Sequence, residues 1–96
     1  MRYFHRTALA PDSVLEEADQ FFGGRLRLEE TGRRTRTYSG AIGRITIQVA
    51  AEGGHYTLVT VATDQVGESE ADKLAKRFLA AVHRRVEPEH VLRGAY

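Results

Sequence analysis

The segment RITIQVAAEGGHYTLVTVAT, residues 44–63, organises the rest of the chain around it. In its first part Ile45, Ile47, Val49 and Ala51 alternate with Arg44, Thr46, Gln48 and Ala50. A period of two gives one apolar face only to an extended strand, so residues 44–51 predict a strand with the isoleucines and valine turned to a core. The stretch Glu52-Gly53-Gly54-His55 then fits a tight hairpin loop, because paired glycines accept the positive φ of a primed turn. A second strand follows from Tyr56 to Thr63. Here both alternating sets, Tyr56, Leu58, Thr60, Ala62 and Thr57, Val59, Val61, Thr63, contain apolar members. Apolar side chains on both faces are expected where both faces are covered.

Working upstream, the same period continues from Arg25, punctuated by turn residues. Leu26 and Leu28 read as inward, with Arg25, Arg27 and Glu29 outward. Thr31-Gly32 turns the chain into a strand from Arg33 to Ser39, and Gly40 to Gly43 supplies a looser turn or a bulge. Thr35 and Thr37 leave the Arg33–Ser39 strand polar on both sides, as an exposed edge would be. Before this block Pro11-Asp12 opens a helix that runs to about Phe22, with Ser13-Val14-Leu15-Glu16 in the form of a capping box. Val14, Leu15, Ala18, Phe21 and Phe22 make its apolar stripe, and Gly23-Gly24 predicts a left-handed cap at its end. The N-terminal stretch Arg2 to Leu9 reads as a strand whose inward side the pattern leaves open.

Downstream, Ser69-Glu70-Ala71-Asp72 caps a second helix from about Glu70 to Val86, ended by Pro88. Leu74, Ala75, Phe78, Leu79, Val82 and Val86 recur at three and four along it, the spacing of one buried helical face. The expected fold class is therefore α+β, in the order β-α-β-β-β-β-α. It comprises one antiparallel curved sheet of five strands, with four as the alternative count, and two helices packed on one face. Residues 1–96 read as a single domain, with 87–96 as a C-terminal tail.

Composition narrows the function classes. The 96 residues contain no cysteine, which removes disulfides, thiolate nucleophiles and cysteine-based zinc sites. The N-terminus Met1-Arg2-Tyr3-Phe4-His5-Arg6 lacks the apolar run of a signal peptide, and no run of 18 apolar residues occurs, so the expectation is cytoplasmic and without membrane contact. The net charge of +1 is unevenly spread. Residues 25–44 hold six arginines against Glu29 and Glu30, a surplus of four, while residues 12–19 carry Asp12, Glu16, Glu17 and Asp19 and no basic residue.

No nucleotide-binding glycine loop or serine-nucleophile motif occurs, and no catalytic residue, cofactor or metal ligand is assigned. Glu29-Glu30 is not a carboxylate pair, because neighbours on a regular strand point to opposite faces. His83, Glu87 and His90 lie close in sequence, but Pro88 interrupts the helix between them and leaves their common face undefined. The expectation is a small non-enzymatic module that binds a partner, or a second copy of itself as a homodimer, through the uncovered sheet face, with Arg44, Thr46, Gln48 and Ala50 in the interface. Nucleic acid is the alternative partner. Arg33, Arg34 and Arg36 on or beside a turn would take phosphates, and Tyr38 would offer a stacking surface. Small-ligand binding between sheet and helices is the remaining alternative.

The order strand, helix, four strands, helix resembles one half of the TATA-box-binding protein, in which two such repeats form a saddle with helices above and a curved sheet beneath. The resemblance covers most of the chain and lies in element order. It implies a sheet surface used for binding, and a second copy to complete a two-repeat assembly. In that family the sheet binds the DNA minor groove with phenylalanine wedges and asparagines. This chain has no asparagine, and Phe21, Phe22 and Phe78 fall on helical faces directed at the core. A helix-grip fold, which holds lipids and polyketides between a curved sheet and a long C-terminal helix, is the competing analogy. Fold alone conveys neither function.

Overall fold

In the computed structural model, which describes residues 1–86, the elements follow the expected order. They are β1 (Arg2–Thr7), α1 (Pro11–Gly23), β2 (Arg27–Thr31), β3 (Thr35–Gly40), β4 (Gly43–Glu52), β5 (Tyr56–Thr63) and α2 (Glu70–Val86). The strands form one antiparallel, unclosed sheet in the order β1-β5-β4-β3-β2. β1 pairs with β5, leaving β4 at the centre and β1 and β2 at the edges. The tail expected at 87–96 lies outside the described residues.

The alternation of residues 44–51 is realised as far as Val49, whereas Ala51, expected on the same buried side, is exposed. Ile45, Ile47 and Val49 are buried, and so are Val59 and Val61 beside them. The register settles the two-sided pattern of β5: Thr57, Val59 and Val61 face the helices, and Tyr56, Leu58, Thr60 and Ala62 face outward. It also fixes β1, where Tyr3, His5 and Thr7 are inward and Arg2, Phe4 and Arg6 outward. Gly53 and Gly54 have φ of 63° and 76°, the left-handed values that the β4–β5 hairpin requires.

Both helices lie on the inner face, α1 over β3 and β4 and α2 over β1, β5 and β4. Val14, Leu15, Ala18 and Phe22 from α1 meet Leu74, Ala75, Phe78 and Val82 from α2 in one core. Ser69 caps α2 as its sequence indicates, accepting from the Asp72 backbone N–H at 3.1 Å. Phe21 and Leu79 pack against this core while partly exposed.

Four local expectations are corrected. Helix α1 begins at Pro11 with Ala10 as its N-cap and no side-chain cap, so Ser13 sits inside the first turn and Ser13-Val14-Leu15-Glu16 is not a capping box. Proline fixes the helical φ at the first position by itself. The helix ends without a left-handed residue: Gly24 has φ −90°, and the Arg25 and Leu26 amides donate to the Phe22 carbonyl. Strand β3 is not an edge, because β2 covers its other side. Finally, β2 is exposed along its whole length, including Leu28 at 46%, since neither helix extends over it. Charged side chains and a bulge between Leu28 and Glu30 are how this edge resists further strand pairing.

Candidate functional site

The outer sheet face is the surface that the fold leaves uncovered. Its centre is β4, where Thr46 is partly buried by neighbouring strands and Gln48 and Ala50 are exposed. Register places Thr46 between Ala62 and Thr37, Gln48 between Thr60 and Thr35, and Ala50 beside Leu58. The Thr37 and Thr46 hydroxyls are 3.4 Å apart, joining two strands on this side. Phe4, opposite Thr60 on β1, stands 62% exposed. With Arg2, Thr46, Gln48, Thr60 and Ala62 it lines a concavity of about 350 Å³. The floor is uncharged and built from short side chains, with one aromatic ring on its flank.

Charges frame this floor. On the β1 side Arg6 pairs with Glu52 of the β4–β5 hairpin. On the other side Arg44 lies 3.5 Å from Glu29. That second contact overturns the expectation that Glu29 and Glu30 point to opposite faces. The bulge inserts an extra residue between Leu28, opposite Tyr38, and Glu30, opposite Thr37. Glu29 therefore reaches Arg44 on the outer face while Glu30 also takes an outward position.

The structure divides the residues expected at an anion or nucleic-acid site. Arg33 and Arg34 are exposed in the β2–β3 turn. Arg36 is instead turned to the inner face, where it donates to the Gly32 and Thr35 carbonyls at 2.8 Å and pairs with Asp19 of α1 at 3.3 Å. Tyr38, expected as a stacking surface, is 1% exposed and belongs to the core. Its ring lies 4.9 Å from Phe22, and its hydroxyl donates to Asp19 at 2.6 Å. Burial first, and then that bond and the Asp19 charge, push its pKa far above the ordinary tyrosine range. A tyrosine flanked by threonine and serine looks like an exposed stacking residue in sequence. What the sequence does not show is the overlying Phe22. Tyr38→Phe leaves Asp19 without this donor and is expected to cost about 1 kcal/mol in urea denaturation, with no change in secondary structure.

The histidines separate likewise. His55 is exposed in the β4–β5 loop. His5 and His83 bring their rings to 6.0 Å at 75° where α2 crosses β1. Burial, and then the nearby His83, hold the His5 pKa below its ordinary value. Glu87 and His90 lie outside the described residues, and among the described residues no group of three His, Cys, Asp or Glu side chains could hold a metal ion. No helix among them is long and apolar enough to cross a membrane. Compared with known proteins, the chain matches no protein-family model and no curated protein sequence.

Proposed function

We propose that the protein is a self-association module whose working surface is the outer face of the sheet. The observation that carries this reading is the 62% exposure of Phe4 beside an uncharged floor of threonine, glutamine and alanine. A wet sheet face of a monomer usually alternates against its core with charged or strongly polar side chains. Here Thr60, Ala62, Thr46 and Leu58 are only partly accessible, and short side chains let a second sheet approach to the roughly 10 Å spacing of packed sheets. Resemblance in element order to a repeat that works in pairs supports the same reading. Arg44, Thr46, Gln48 and Ala50 would then lie at the middle of the contact, as their place on the central strand suggests.

Light scattering after size exclusion tests this directly. The protein should run as a dimer at high micromolar concentration. Thr46→Glu combined with Gln48→Glu leaves Ile45, Ile47 and Val49 in place and should give a monomer with an unaltered circular dichroism spectrum. Each unpaired carboxylate buried in such an interface costs several kcal/mol. A wild-type protein that remains monomeric at that concentration defeats the proposal.

A further inference from the structure

One row of residues crosses all five strands on the outer face in register. From edge to edge it reads Arg2, Ala62, Thr46, Thr37 and Glu30. A positive charge stands at one end, a negative charge at the other, and three small uncharged side chains lie between. Both end residues are exposed, and neither takes part in an ion pair among the described residues. Arg6 and Arg44 on the same face are already matched within the chain, by Glu52 and Glu29. The central member, Thr46, sits on the middle strand of the sheet.

A closed dimer of identical faces requires a two-fold axis in the plane between the two sheets. An axis perpendicular to the strands and passing through this row lays each strand over its own copy, so Arg2 faces Arg2 and Glu30 faces Glu30. An axis parallel to the strands exchanges the edges instead. Each β1 then lies over the β2 of the other copy, and the row facing the partner runs in the opposite sense. Like charges directly opposed are unfavourable, whereas opposed unlike charges fix register and partner geometry.

We infer that two copies of this chain pack their outer faces about a two-fold axis parallel to β4 and passing beside Thr46, so that Arg2 of each copy meets Glu30 of the other. The inference rests on the outer face being the interface, and deepens that reading by assigning its symmetry. Threonine and alanine at the centre of the row permit close approach there, and the two symmetry-related ion pairs stand at the rim. Arg44, close to the axis, brings little repulsion because Glu29 accompanies it.

Charge reversal tests the axis separately from the face. Arg2→Glu alone places two glutamates at each rim contact, and Glu30→Arg alone places two arginines there. Each single variant should dimerise roughly tenfold more weakly than wild type in sedimentation at low salt, with the difference shrinking at high salt. An equimolar mixture of the two restores opposite charges at both contacts and should regain wild-type affinity as a heterodimer. A mixed dimer of Arg2→Glu with the wild-type chain that is tighter than the wild-type dimer overturns the axis in favour of the perpendicular one, which would oppose that glutamate to Arg2. Unchanged dimers of both single variants also overturn it, while leaving the face as interface if Thr46→Glu with Gln48→Glu still dissociates them. If that double variant is also dimeric, the face itself is wrong, and pairing along an open strand edge takes its place.

Discussion

Phe78→Ala is expected to lower stability by about 3 to 5 kcal/mol, enough to remove much of what holds a chain of this length folded. Phe78 is fully buried on α2, with its ring 5.2 Å from Phe22 and 5.8 Å from Phe21 on α1. Phe22 in turn lies 4.9 Å from Tyr38 on β3. One ring thus joins both helices to each other and, through Phe22, to the sheet. Truncating it leaves a cavity walled by aromatic rings on separate elements, which cannot collapse without moving a helix. The melting temperature should fall by more than about 12 °C. Lys76→Ala, two residues earlier and on the exposed side, should change stability by less than about 0.5 kcal/mol. An unaltered urea midpoint for Phe78→Ala would mean that the rings do not form the centre of the core.

The same contrast between repeated pattern and single contacts explains how much of the molecule the sequence discloses. Strand β4, the β4–β5 hairpin and α2 were legible because each rests on several residues at one period, reinforced by Gly53-Gly54 or by Ser69. Tyr38 was not, because whether a tyrosine on a polar strand is buried depends on what another element lays over it, here Phe22 and Asp19 of α1. The same holds for β2: Leu28 obeys the alternation yet stays exposed, since the helices stop short of the sheet edge. The bulge that brings Glu29 and Glu30 to one face has no signature in Leu28-Glu29-Glu30 itself, because it arises from pairing with β3. For the candidate site, the outward positions of β4 could be read directly. Phe4 could not, since β1 alternates without a clean apolar set and only pairing with β5 fixes its sides.

Asp72→Ala should be nearly as damaging as loss of Phe78, and for an opposite reason. In sequence Asp72 is an acidic residue in the first turn of α2, suited to the helix dipole. In the structure it is fully buried and collects hydroxyl donors from three places: Tyr3 of β1 at 2.8 Å, Thr63 of β5 at 3.0 Å and the capping Ser69. It therefore ties the start of α2 to the edge strand β1 and the end of β5. Alanine leaves these hydroxyls without their acceptor, and the expected cost is about 3 kcal/mol or more, because bonds to a charged acceptor exceed neutral ones. Burial by itself raises the Asp72 pKa, but the bonds from Ser69, Tyr3 and Thr63 together outweigh it and hold the carboxyl below the ordinary aspartate value. With the folded pKa lowered, the unfolded chain binds the proton more readily. The stability this group contributes is thus complete above a pH of about 4 and is lost as pH falls through the folded value. Asp64, also held low, chiefly by the Arg44 backbone N–H, contributes an acid limb of the same sign, so the informative quantity is a difference between variants. Asp72→Asn retains an oxygen for Tyr3 and Thr63 but loses the charge and the second oxygen, which accepts from Ser69. Its urea stability, subtracted from that of wild type between pH 7 and pH 3, should leave a gap that narrows as the pH drops. Parallel profiles across that range would show that Asp72 is not ionised in the folded protein.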